Sequence, residues 1–167
     1  METKIIVLLA AMVMVSIPAA ADNLLILSNG GNASFTPCST ADMDLSSAAG
    51  SQSVVNFFNP TAGPVTVTYT AECAVGGNTL NWVSTNIFVD PAPISAGVVG
   101  DILVAPTSGL NALCSGDSTV GLDGWANNAI TGVINLPAGV SSLRIQRVAG
   151  NGAPSCWISD TSTVVTR

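Results

Sequence analysis

The stretch Gly63-Pro64-Val65-Thr66-Val67-Thr68-Tyr69-Thr70-Ala71-Glu72-Cys73-Ala74-Val75 decides how the rest of the chain is read. Val65, Val67, Tyr69 and Ala71 fall on one side of a two-residue period, and Thr66, Thr68 and Thr70 fall on the other. That alternation marks a strand with one face in a core and one face turned to solvent. Its β-branched residues suit a pleated backbone better than a helix. The period recurs from Leu80 to Val89, where Val83, Thr85, Ile87 and Val89 oppose Trp82, Ser84, Asn86 and Phe88. The aromatics Trp82 and Phe88 among the latter four predict a strand covered on both sides. Leu143 and Ile145 alternate with Arg144 and Gln146, which assigns the arginine to a wet face.

Working outward, Ile130, Gly132, Ile134 and Leu136 share a face before Pro137 and Gly139 turn the chain. Leu24 to Leu27, Val54 to Asn59, Asp101 to Ala105 and Cys156 to Val165 are further strand candidates. Asn29-Gly30-Gly31, Asn59-Pro60, Gly63-Pro64, Gly76-Gly77-Asn78, Asp90-Pro91 and Gly150-Asn151-Gly152 supply turns between them. No helical period with caps is found beyond the first residues. The expectation is an all-β, antiparallel sandwich or barrel of about eight to ten strands.

The start of the chain reads differently. Lys4, an apolar run from Ile5 to Ile17 broken only by Ser16, then Pro18 and Ala19-Ala20-Ala21 have the layout of a cleaved secretory signal. As a helix the run would span roughly 20 Å, short of the ~30 Å hydrocarbon core, so export suits it better than anchoring. Residues 1–21 are therefore expected to be removed, leaving 22–167 as one domain without a membrane span, secreted or held in the periplasm or at the cell surface. The chain has ten acidic and four basic residues, a net charge of −6, and no histidine. Beyond the signal the basic residues are Arg144, Arg147 and Arg167. Nucleic acid and anionic membrane surfaces are poor partners for such a charge balance.

Cys38, Cys73, Cys114 and Cys156 are even in number, and in an exported protein they predict two disulfides with three pairings open. Zinc is disfavoured, because no C-x-x-C pair exists and no histidine can complete a site.

From Gly63 to Val165 the order of features resembles the jelly roll of the complement globular-head and tumour-necrosis-factor-like superfamily, and more closely a set of small uncharacterised secreted bacterial proteins. The segments that carry it are GPVTVTYTAECAV, LCSGDSTVGLDGW, LPAGVSSLRIQ and WISDTSTVV. The resemblance implies a jelly-roll-like sandwich whose first and last strands are antiparallel neighbours, which would set Cys38 beside Cys156. It also implies that the strand ending at Cys73 lies against one beginning near Trp125, which would bring Cys73 near Cys114. The alternative is sequential pairing, Cys38 with Cys73 and Cys114 with Cys156. Members of the superfamily form compact trimers, so the likeness also suggests a homo-oligomer.

Catalytic chemistry is narrowly bounded. Without histidine, and without lysine beyond position 4, imidazole bases, Ser-His-Asp triads and Schiff bases are excluded from the exported part. A carboxylate pair would suffice for a glycosidase, but Glu72 is the sole glutamate after residue 21 and nothing in the sequence identifies its partner. A rim carboxylate, or an ion pair with Arg144 or Arg147, is the competing reading. Asp42, Asp44, Asp117 and Asp123 are candidate calcium ligands, against the commoner role of loop aspartates in capping backbone amides. Trp82, Trp125 and Trp157 could stack on sugar rings, although their spacing also suits burial between sheets. Trp125, with Asp117, Asp123 and Asn127 nearby in sequence, is the best candidate for a ligand platform.

The leading expectation is thus a secreted, non-catalytic module for extracellular binding or self-assembly, needing no cofactor, with a carbohydrate or protein ligand. A pilin-like surface-filament subunit and a carboxylate-dependent glycoside hydrolase are the alternatives.

Overall fold

A computed structural model describes residues 21–31, 33–45, 52–93, 102–105, 113–115 and 123–167. The expected signal therefore lies outside the described residues apart from Ala21. Eleven strands are found among them: β1 (Asn23–Asn29), β2 (Ala33–Phe35), β3 (Ala41–Asp42), β4 (Val54–Asn59), β5 (Gly63–Val75), β6 (Trp82–Asp90), β7 (Ile102–Ala105), β8 (Cys114–Ser115), β9 (Asp123–Leu136), β10 (Gly139–Gly150) and β11 (Cys156–Thr166). They build two sheets. Sheet I has the order β1-β11-β5-β9, with β2 following β1 along β11; sheet II has the order β3-β10-β6-β7, with β4 also on β10 and β8 also on β6. The strand pairings are antiparallel throughout.

The alternation read from the sequence sets the core. Val65, Val67, Tyr69 and Ala71 of β5 are each fully buried, facing a layer from sheet II that includes Val83, Ile87 and Val89 of β6 and Leu143 and Ile145 of β10. Each such aliphatic side chain contributes about 1.5–3 kcal/mol by leaving water. Burial pushes the Tyr69 phenol above its ordinary pKa. Cys73 on β5 bonds to Cys114 on β8 and so crosses the core from one sheet to the other; Cys38 bonds to Cys156 at the start of β11. Their Cα separations of 6.0 and 5.3 Å are ordinary for disulfides. The sequential pairing is thus set aside. Disulfides of this kind persist in oxidising compartments.

Several details depart from the sequence reading. β6 begins at Trp82, and Leu80, expected within the strand, is 69% exposed in the preceding turn. Asn81 closes that turn, its Oδ1 accepting from the Asn78 amide at 2.7 Å and its Nδ2 donating to the Asn151 carbonyl at 2.8 Å. β2 separates β1 from Cys38 and pairs Phe35 with Cys156, which carries the disulfide to its partner. Arg144 is not on a wet face. It does point away from the core, but at 1% exposure it is buried, because the outward face of sheet II is itself covered at Val54, Ser84 and Ser142. Ala92, just after β6, lies over this face and takes a hydrogen bond from Ser142 Oγ at 3.2 Å.

Candidate functional site

Residues 39–45 carry the chain from sheet I to sheet II, and β10 holds this crossing from both of its faces. On the core side, Arg147 donates from Nε to the Ser39 carbonyl at 2.6 Å, and its guanidinium lies 3.3 Å from the Phe35 ring centroid. Burial lowers its pKa from the ordinary arginine value. On the outward side, Arg144 pairs through Nη1 with Asp42 and lies 4.1 Å over the Phe88 ring. Its Nε and Nη2 are buried without a hydrogen-bond partner among the described residues. Between the two arginines, the Met43 amide donates to the Ile145 carbonyl at 2.8 Å.

This crossing brings the candidate calcium ligands Asp42 and Asp44 together. Both line a cavity of about 220 Å³ with Asn29, Phe35, Ile158 and Thr161. Their carboxylates already have work within the chain: Asp42 neutralises Arg144, and Asp44 Oδ1 accepts from the Gln52 amide at 3.0 Å. No group of three or more metal-ligating side chains occurs among the described residues.

The second candidate set is only partly placed. Asp117 lies outside the described residues; Asp123 and Trp125 lie on the β9 backbone, and their side chains are outside the description. Asn127 is exposed on β9 as the register partner of Glu72. Glu72 is half-buried on the outward face of sheet I and accepts from Ser159 Oγ at 3.4 Å. It meets neither Arg144 nor Arg147, which belong to sheet II and are engaged with Asp42 and Ser39. Trp82 and Trp157 are not between the sheets. Trp157 is 37% exposed between the inward-facing Cys156 and Ile158, and Trp82 packs on Gly150 across the outward face of sheet II.

What the sequence reading passed over is a surface. On the outward face of sheet I, register sets Thr66 between Thr166 and Val133, Thr68 between Val164 and Thr131, and Thr70 between Ser162 and Ala129. Ile26 and Ser28 of β1 extend the last two rows beyond β11. Cross-strand contacts order the grid: Thr68 and Thr131 share a hydroxyl hydrogen bond of 3.1 Å, and Thr70 Oγ1 donates to the Ser162 carbonyl at 3.4 Å. The grid holds no ionisable side chain. Glu72 stands beyond it at one end, Arg167 donates to the Thr61 carbonyl at the other, and Asp160 sits in the β11 bulge. The available signal was the threonine side of β5, joined to the uncharged run of β9. No protein-family model matches this chain, and no curated protein matches its sequence.

Proposed function

We propose that this chain is an exported, non-catalytic building block that assembles outside the cytoplasm by surface contact, using the uncharged side of sheet I. The observation that carries the reading is the neutral grid centred on Thr68, in a chain whose net charge is −6. Charge elsewhere keeps like molecules apart, and a hydroxyl- and methyl-covered face is where they can approach without repulsion. The wrapping order of the strands supports the jelly-roll likeness. Sheets β1-β11-β5-β9 and β4-β10-β6-β7 are filled by a chain that passes repeatedly between them, as in a jelly roll. Two disulfides and the secretory layout of residues 1–21 support export. Contact rather than catalysis suits a chain without histidine or exported lysine.

Intact mass and sedimentation of the exported, oxidised protein test the reading together. Expected are loss of residues 1–21 and a mass that rises with concentration. A strictly monomeric mass at tens of micromolar would contradict assembly, and a retained leader would contradict export by cleavage.

A further inference from the structure

The four sheet edges are not alike. One edge of sheet I is split between β1 and β2, of 7 and 3 residues; in sheet II one edge is split between β3 and β4, of 2 and 6, and the other between β7 and β8, of 4 and 2. Short, interrupted strands, charges and prolines are how natural sheets discourage pairing with other chains. Among the described residues, β9 shows none of these three protections. It is a single strand of 14 residues, and from Gly124 to Leu136 it contains no charged residue and no proline. Its ladder with β5 is regular from Ala126 to Leu136, the one irregularity lying beyond that stretch. Asn127, Asn128 and Ala129 are exposed in succession, and Val133 is 62% exposed.

We propose that β9 pairs with β9 of a second copy, antiparallel about a two-fold axis at Thr131, joining two copies of sheet I into one continuous sheet. The proposal rests on the assembly reading above and places the contact at the β9 border of that uncharged side. Thr131 is the midpoint of the regular stretch, and pairing about it is self-complementary, as an isologous contact requires. Ala129 meets Val133 of the second copy, Asn127 meets Asn135, and on the core side Ile130 meets Gly132. No charge is brought against a like charge. An antiparallel ladder of this length supplies about ten backbone hydrogen bonds, the number a typical stable interface carries. A nucleic acid or charged peptide would find nothing on this edge to pair with its charge, whereas a second copy matches it strand for strand.

The test is sedimentation equilibrium of the exported, oxidised protein at tens of micromolar, with paired substitutions at the two positions that meet across the axis. The double variant Ala129→Lys/Val133→Lys sets like charges together and is expected to lose the dimer. Ala129→Lys/Val133→Glu sets opposite charges together and is expected to restore it. Within one strand these positions are about 13 Å apart, so rescue must come from the other molecule. Unchanged thermal melting of both variants shows that they fold. Leu80→Lys, in the exposed turn before β6 and away from sheet I, should leave the dimer intact. If the parent protein associates and the Lys/Lys variant still does, the β9 contact is overturned while assembly stands. If Thr68→Lys alone dissociates the protein, packing is face to face and the proposal fails. Loss of association in both double variants contradicts the two-fold register, and a monomeric parent protein overturns the contact and the assembly reading alike.

Discussion

On sheet I the outward residues Thr68, Thr131 and Val133 keep contact with solvent, Val133 at 62% exposure; on sheet II the outward Ser84, Ser142 and Arg144 are at 0%, 0% and 1%. Both sets follow from the same alternation along a strand, yet the first is open to solvent and the second is covered, with Phe58 and Val140 exposed only farther along the outward side of sheet II. The difference teaches that a two-residue period identifies which residues leave the core but not what they meet. Sheet II spends its outward side on holding the chain: Arg144 pairs with Asp42, and Ser142 Oγ reaches Asn56 Oδ1 at 2.6 Å. Sheet I leaves its outward side uncharged and open, as an assembling surface would be.

The same chemical change on the two sides should separate them most. Ser142→Lys buries an ammonium group and removes the donor to Asn56 and Ala92, at a cost of about 4 kcal/mol in urea unfolding. A cost near zero would mean that the outward side of sheet II is open. Next in size is Asp42→Ala, which strands the buried Arg144 guanidinium and should cost about 3 kcal/mol. Adding Arg144→Met should recover most of that loss, because an apolar side chain needs no partner there. If the double variant remains as unstable as the single one, burial of the charge is not what the pair offsets.

Gly150→Ala comes third. A methyl group at this position would overlap the Trp82 indole, and overpacking of this kind costs about 2 kcal/mol. Calorimetric melting checks it, and in a Trp82→Ala background the penalty should largely disappear. The smallest effect belongs to the bare side: Thr68→Lys forfeits one hydroxyl contact with Thr131 and should cost less than about 1 kcal/mol. Should it match Ser142→Lys, the contrast between the two faces is broken.

Much of this architecture was legible in the chain. Val65, Val67, Tyr69 and Ala71 alternate so cleanly that their burial could be read directly, and Val54 to Asn59 matches β4 at both ends. β2, β3 and β8 were not legible, since two or three residues cannot display a period. The bulge between Ser159 and Ser162 was likewise hidden. It places Asp160 at a φ of 46°, a left-handed conformation that Asp tolerates better than bulky residues and does not advertise locally. Arg144 was assigned the correct side of its strand and the wrong environment, because what covers a sheet is set by segments distant in sequence. For the same reason the threonines of β5 could be counted, whereas the grid they form with β9 and β11 needed the register.

The most direct measurement of the central claim, that sheet I offers the contact and sheet II does not, is amide hydrogen exchange of the oxidised protein at low and high concentration. Exchange in residues 126–136 should slow as concentration rises, because amides on the outer edge of β9 gain partners, while β4 and β10 exchange at the same rate throughout. Protection that instead grows in β4 or β10, with residues 126–136 unchanged, would contradict it.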